Sequence, residues 1–291
     1  MRAILLLTAL SGAGPLAAQA PPASDIWLVD ITVRGGRVRL GTPVNVTARP
    51  GYDNQPAFLA DGTGLYYTRV GDDGQADVWR YDIAARRAAQ VTATPESEYS
   101  PTALPGQPGF SVVRVERDST QRLWRFAPPA APELVFERIA PVGYHAWATP
   151  TVAALYLLGE PSALVIANTT TGRVDTMARD VGRSLHAIPG RPAVSFVQWV
   201  GRREPWLAEA DVTNRAVLRL VRMPAGAEFH VWTPHGLVLA AVDAKLYQWD
   251  PLSGGSWKEI ANLRGAGLRG ITRLAVSPSG DRLAIVAVPS R

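Results

Sequence analysis

Cysteine is absent from the 291-residue sequence. That excludes disulfides, cysteine-ligated metals and a lipid anchor on a cysteine, whatever the compartment. Lysine is nearly absent too: only Lys245 and Lys258 join 28 arginines among the 30 basic residues. Set beside 26 Gly and 24 Pro, that bias reads as genome composition and not as a recruited basic patch. The net charge is +5, yet no block of five like charges occurs. A basic stripe interleaved with aromatics is missing, so a nucleic-acid partner is not expected. No apolar run approaches the ~18 residues of a membrane span. There is no Gly-x-Ser-x-Gly nucleophile elbow and no Asp-x-Asp-x-Asp calcium loop. The acidic stretch "GDDGQAD" (Gly71 to Asp77) reads as a hairpin turn. No dozen residues carry the periodicity of an amphipathic helix, which leaves an all-β chain.

The first twenty residues, MRAILLLTALSGAGPLAAQA, set Arg2 before an apolar run from Ala3 to Leu10 and end on Ala18-Gln19-Ala20. A short cationic start, an apolar stretch too short to span a bilayer and a small-x-small end predict a secretory signal peptide over 1–20. Residues 21–291 are then expected to be one exported domain, periplasmic or secreted, large enough for a core without staples.

What is present is a phrase written twice. "SDIWLVDI" starts at Ser24 and "ADVWRYDI" at Ala76. Its cousins continue down the chain and give a column of Trp27, Trp79, Trp124, Val165, Trp206 and Tyr247, with steps of 52, 45, 41, 41 and 41. Each lies in a short alternating segment, the period-2 signature of a strand. Asp82, Asn168, Asp211 and Asp250 follow as turn formers, because their side chains bond the backbone two residues on. A second column, Pro56, Pro101, Ala146, Ala187, Val231 and Arg273, opens segments that lead through Gly- or Pro-containing turns into apolar strands. Four strands per ~40–45 residues is the mark of a β-propeller.

The count is six. The last opener, Arg273, has no Trp strand after it, and the first Trp strand has no opener before it. The sixth blade is therefore predicted to be split. "TRLAVSPSGDRLAIVAV" supplies its inner pair; "DIWLVDI" and "TPVNVT" supply its outer pair, closing the ring from both termini.

"NQPAFLADGTGLYYTRV…ADVWRYDIAARRAAQVTA" and "LAVSPSGDRLAIV" resemble the repeats of TolB-type, WD-like propellers. The resemblance is closest in the first and last repeats and looser between. It implies a six-bladed propeller acting as a binding platform in the periplasm or outside the cell. TolB proper carries an extra α/β domain for which this chain leaves no room, so a Tol–Pal role is not implied.

Two sets of residues are candidates for function. His145, His186 and His230 each stand immediately before an opener, where the other repeats place Gln55, Ser100 and Thr272. Imidazoles from three consecutive blades could converge on one divalent cation at the channel mouth. Some propeller lyases acting on acidic oligosaccharides resemble this arrangement. The alternative is a polar residue bonding the neighbouring blade. The aromatic column Trp27, Trp79, Trp124, Trp206 and Tyr247 reads as packing between blades, since a position repeated in every blade is structural. The function expected is a monomeric, non-catalytic binding or scaffold module for a protein, envelope component or acidic glycan, without a cofactor. The rival is a lyase-like metal enzyme with a divalent ion on the three histidines.

Overall fold

The period-2 segments pair as antiparallel four-stranded meanders, and a computed structural model describes residues 21–201 and 204–289. The predicted signal segment lies outside the described residues. Blade 1 runs outward from the inner strand Asp53–Phe58 through Gly64–Val70 and Ala76–Asp82 to Arg87–Gln90. Blades 2 to 5 repeat that order with inner strands Ser97–Ala103, Val142–Thr149, Val181–Ala187 and His230–Trp232. Among the described residues there is no α-helix, only a 3-10 turn at Arg264–Ala266, so nothing helical could cross a membrane.

Blade 6 is built from both ends of the chain. Its inner strands are Arg269–Val276 and Arg282–Val288, and Asp25–Arg34 pairs with the latter from Asp25↔Ala287 to Asp30↔Arg282. The expectation for its outermost strand needs correction. "TPVNVT" contributes only Val44–Asn45, against Trp27 and Leu28. Arg37–Leu40 pairs with the far half, from Ile31↔Leu40 to Arg34↔Arg37. The ten-residue first strand outruns its blade and folds back at Gly35 and Gly36, both at positive φ, as a hairpin needs. This hairpin docks on blade 5: Gln248 Oε1 accepts from Val38 N at 2.8 Å, and its Nε2 donates to Gly36 O at 2.7 Å.

Burial grades outward within each blade. Second strands such as Phe110–Val115 and Val152–Leu157 are buried on both faces, because each blade is sandwiched between two others. Outer strands such as Val217–Arg222 are largely exposed. The core is accordingly six apolar clusters, one per seam. Ile26, Tyr67 and Val286 join blades 6 and 1, and Phe110, Val78 and Phe126 join blades 1 and 2. Leu123 with Trp147, Ile166 with Phe196, Leu207 with Trp232, and Leu246 with Ile285 hold the other four. Three of the turn formers bond two residues on as expected, Asn168 accepting from Thr170 N, Asp211 from Thr213 N and Asp250 from Leu252 N, while Asp82 Oδ1 accepts from Ala85 N, three on.

Candidate functional site: the lumen and its mouth

The six inner strands enclose a lumen of about 390 Å³. Small apolar residues such as Pro56, Ala57, Ala103, Ala146, Ala187 and Val276 alternate in its wall with Phe58, Trp147, Trp232 and the three histidines. At the end where the inner strands enter, Arg273 of blade 6 reaches across to blade 3. Its Nη2 donates to Tyr144 Oη at 2.8 Å and its Nη1 to Asn54 Oδ1 at 3.2 Å. Its guanidinium lies 5.3 Å from the Tyr144 ring centroid and 4.6 Å from that of Phe229. Tyr52 and Tyr99 complete an aromatic surround. Burial pushes the Tyr52 hydroxyl up to about 12, although Arg273 pulls it the other way. Among the described residues Arg273 pairs with no carboxylate, and no Asp or Glu lines the lumen. Arg183 also reaches the lumen, but it faces a broader hollow of about 790 Å³ that holds Glu160, Asp180 and Glu228.

The three histidines lie on inner strands in one register and line the lumen; His186 and His230 meet ring to ring, but among the described residues the three are not gathered round one point. His145 Nε2 lies 2.7 Å from Ser111 Oγ, which also accepts from Trp147 Nε1 at 2.9 Å. His230 repeats the arrangement one blade pair on: Nε2 is 2.7 Å from Ser195 Oγ, which accepts from Trp232 Nε1 at 2.8 Å. In both, serine comes from the second strand of one blade and His-x-Trp from the inner strand of the next. The polar atoms therefore lock the joint between blades 2 and 3 and that between blades 4 and 5. His186 is half-buried, with its ring edge-on to His230 at 5.0 Å between centroids. Rather than pointing to a common centre, His145 and His230 are spent on seams. Among the described residues no three His, Asp or Glu are grouped to hold a metal. Burial holds His145 at about 3 and His186 at about 4, and puts His230 well below its ordinary value, so all three are neutral near pH 7.

Gln55 and Ser100, in the same register, sit at β-bulges with φ of 57° and 53°. The bulge aims Gln55 Oε1 at Ser100 N, 2.8 Å away, which bridges blades 1 and 2. One difference separates the two histidine joints. Ser184 Oγ closes on His230 Nδ1 at 3.0 Å, whereas Ser100 Oγ and His145 Nδ1, both buried, have no partner.

The aromatic column lies on third strands, with Trp124 opposite Val112 but Trp206 displaced toward the start of its strand, opposite Gln198. Trp27, Trp79 and Trp124 are half-buried and pack toward the preceding blade. In two blades the ring carries a guanidinium. Arg69 stacks 4.0 Å from Trp79 and bonds Asp53 at 2.9 Å; Arg114 stacks 4.4 Å from Trp124 and pairs with Glu98 at 3.2 Å. Acid, arginine and tryptophan recur at an offset of 45 residues. Trp124 Nε1 also donates to Glu116 at 2.7 Å. Trp124→Ala is expected to cost about 3 kcal/mol in urea unfolding, short of a fully buried Trp because the ring is only half covered. Trp124→Phe should recover most of it. A change within about 0.5 kcal/mol would show that the ring does not hold the seam.

The sequence reading missed Ser111, Ser195 and Arg273. A signal for the serines was available in "HAW" at 145–147 and "HVW" at 230–232, while "HAI" at 186–188 lacks the Trp. Arg273 had no such signal, because its partners Asn54 and Tyr144 are 219 and 129 positions away.

The ring is similar to solved TolB structures. A protein from Agrobacterium tumefaciens assigned as TolB aligns with a TM-score of 0.71 at 16% identity, covering 92% of this chain and 99% of its own. TolB from Acinetobacter baumannii aligns with a TM-score of 0.59 at 10% identity, over 92% of this chain and 65% of its own. At these identities the likeness is one of fold. No protein-family model and no curated protein matches the chain.

Proposed function

We propose that the protein is an exported, monomeric, non-catalytic binding module that holds a protein or glycan partner on the ring face around the lumen mouth. The observation that carries this reading is the duplicated Ser–His–Trp joint. A serine beside a histidine is the usual start of a nucleophile and its base. Here each serine oxygen also accepts a tryptophan N–H, each pair bridges two blades, and burial removes the basicity a general base needs. The pattern of the first twenty residues supports export, and the TolB-like architecture supports a platform role.

Two measurements test it. A fluorophosphonate probe is expected to leave Ser111 and Ser195 unlabelled in intact-mass spectra; labelling of either would overturn the non-catalytic reading. A photo-cross-linking residue at exposed Thr272, beside Arg273, should capture a partner in envelope fractions. The same residue at Leu252, in an exposed turn at the opposite end of the blades, should not. Equal capture at both positions, or none at Thr272, would remove the mouth as the binding face.

A further inference from the structure

We propose that the hairpin from Ile31 to Leu40 docks the ring on an anionic lipid surface, with phospholipid phosphates on Arg34, Arg37 and Arg39 and with Leu252 seated among the head groups. The hairpin has two faces. Ile31, Val33, Val38 and Leu40 turn inward onto the apolar seam between blades 5 and 6. Thr32, Arg34, Arg37 and Arg39 alternate with them and are exposed. The register sets Arg34 directly across from Arg37, and Thr32 across from Arg39, so all three guanidiniums leave one side of a two-stranded ribbon. No block of like charge stands in the sequence here; pairing the strands creates it.

This charge is uncompensated. Like charges directly opposite one another destabilise a strand pair. Among the described residues none of the three arginines is bonded to a carboxylate. Asp30, the acid on the same side of the strand, lies 3.6 Å from Arg282 instead. At the same end of blades 3 and 4, by contrast, Arg173 and Arg215 share Asp175. Closing the ring does not need the segment either, because Val44–Asn45 already pairs as the fourth strand of blade 6. The hairpin is part of the excess that lengthens the first step of the Trp column to 52 residues. Gln248 holds it on blade 5, so the arginines stand on a fixed support.

The ground beside the hairpin is cationic and apolar. Lys258 lies directly across from Gln248 and is exposed. Leu252, in the turn that follows the Gln248 strand, is 97% exposed. Guanidiniums suit forked bonds to phosphate oxygens, and an exposed leucine beside them adds the apolar contact of an interfacial anchor. A soluble acidic glycan would use the arginines and leave Leu252 in water. This end of the blades is opposite the lumen mouth, so lipid docking leaves the mouth facing away from the membrane, and the inference stands whatever the mouth binds.

Sedimentation of the purified chain with vesicles tests it. Equimolar phosphatidylglycerol–phosphatidylcholine vesicles are expected to bind at least about tenfold more tightly than pure phosphatidylcholine, which also registers any adhesion of the apolar first residues. The difference should fade between about 50 and 300 mM salt. Arg37→Glu places an opposite charge across from Arg34, so its melting temperature should hold or rise while its affinity for the anionic vesicles falls about 25-fold. Arg37→Gln should lie between, at about fivefold. Leu252→Ser should weaken binding about tenfold. Arg179→Glu, an equal change of charge at the mouth end, should bind as the parent does. The proposal is overturned if both vesicles bind alike, if Arg37→Glu or Leu252→Ser binds like the parent, or if Arg179→Glu loses as much as Arg37→Glu. Capture on polygalacturonate beads without binding to vesicles would make this face a glycan site and equally overturn it.

Discussion

A chain ending before Arg269 is expected to lose cooperative unfolding altogether, with no sharp melt by calorimetry or near-ultraviolet dichroism. The deleted segment supplies the two inner strands of blade 6, and Leu283, Ala284, Ile285 and Val286 in it are wholly buried. Leu283 and Ile285 belong to the seam with blade 5, while Ala284 and Val286 face blade 1. Three such large side chains are worth about 6 kcal/mol, the scale of a whole domain's stability. Their removal also strips the Trp27 strand of its partner and opens two edges. Circular permutation is the discriminating control. Asp25 lies opposite Ala287, so a short glycine linker from Pro289 to Ser24 can span the gap, with new ends cut in the exposed turn at Gly254. The permutant should melt as one transition close to the parent. If the truncated chain melts as sharply as the parent, or the permutant unfolds, the strand exchange at blade 6 does not hold the ring.

That closure was legible in the sequence because a propeller repeats. Each blade sees the same neighbours, so each position faces the same environment every ~43 residues and selects similar residues. The Trp27 and Trp79 phrases, the Asp and Asn turns, and the missing halves at the two ends all follow from that. Where one blade departs from the rest, the period says nothing. The hairpin from Ile31 to Leu40 exists because Gln248 of blade 5 receives it, a partner that no local pattern announces. The histidine column was visible, but its meaning depended on direction. Position on an inner strand was read as access to the channel, and all three rings do line the lumen, but His145 and His230 also bond Ser111 and Ser195 across the seams, which the sequence did not announce. Arg273 shows the same limit from the other side. Its column predicted the start of an inner strand, and only closing the ring brings it to Tyr144 of the opposite blade.

The same buried histidines make the fold acid-sensitive well above the range of carboxylate titration. In the unfolded chain a histidine titrates near pH 6.5; in the ring His145 is held at about 3, and His230 also lies well below its ordinary value. The folded values are lower, so the unfolded state takes up protons first as pH falls. Stability is therefore full above about pH 6.5 and declines below it, by about 1.4 kcal/mol per pH unit for each buried ring. Between pH 7.5 and 5 the pair should remove about 4 kcal/mol, with a further share from half-buried His186, itself held at about 4. Burial shifts Asp53 and Glu98 upward and so acts in the opposite sense, offsetting part of the fall. Urea midpoints measured from pH 7.5 to 5 are expected to fall steeply, equivalent to at least two protons bound on unfolding. His145→Gln should lower stability at pH 7.5 by freeing Ser111 and Trp147, yet flatten the slope by about one proton. A flat profile, or a slope insensitive to His145→Gln, would mean that these rings are not locked neutral in the seams, and the Ser–His–Trp joints would lose their claim to hold the blades together.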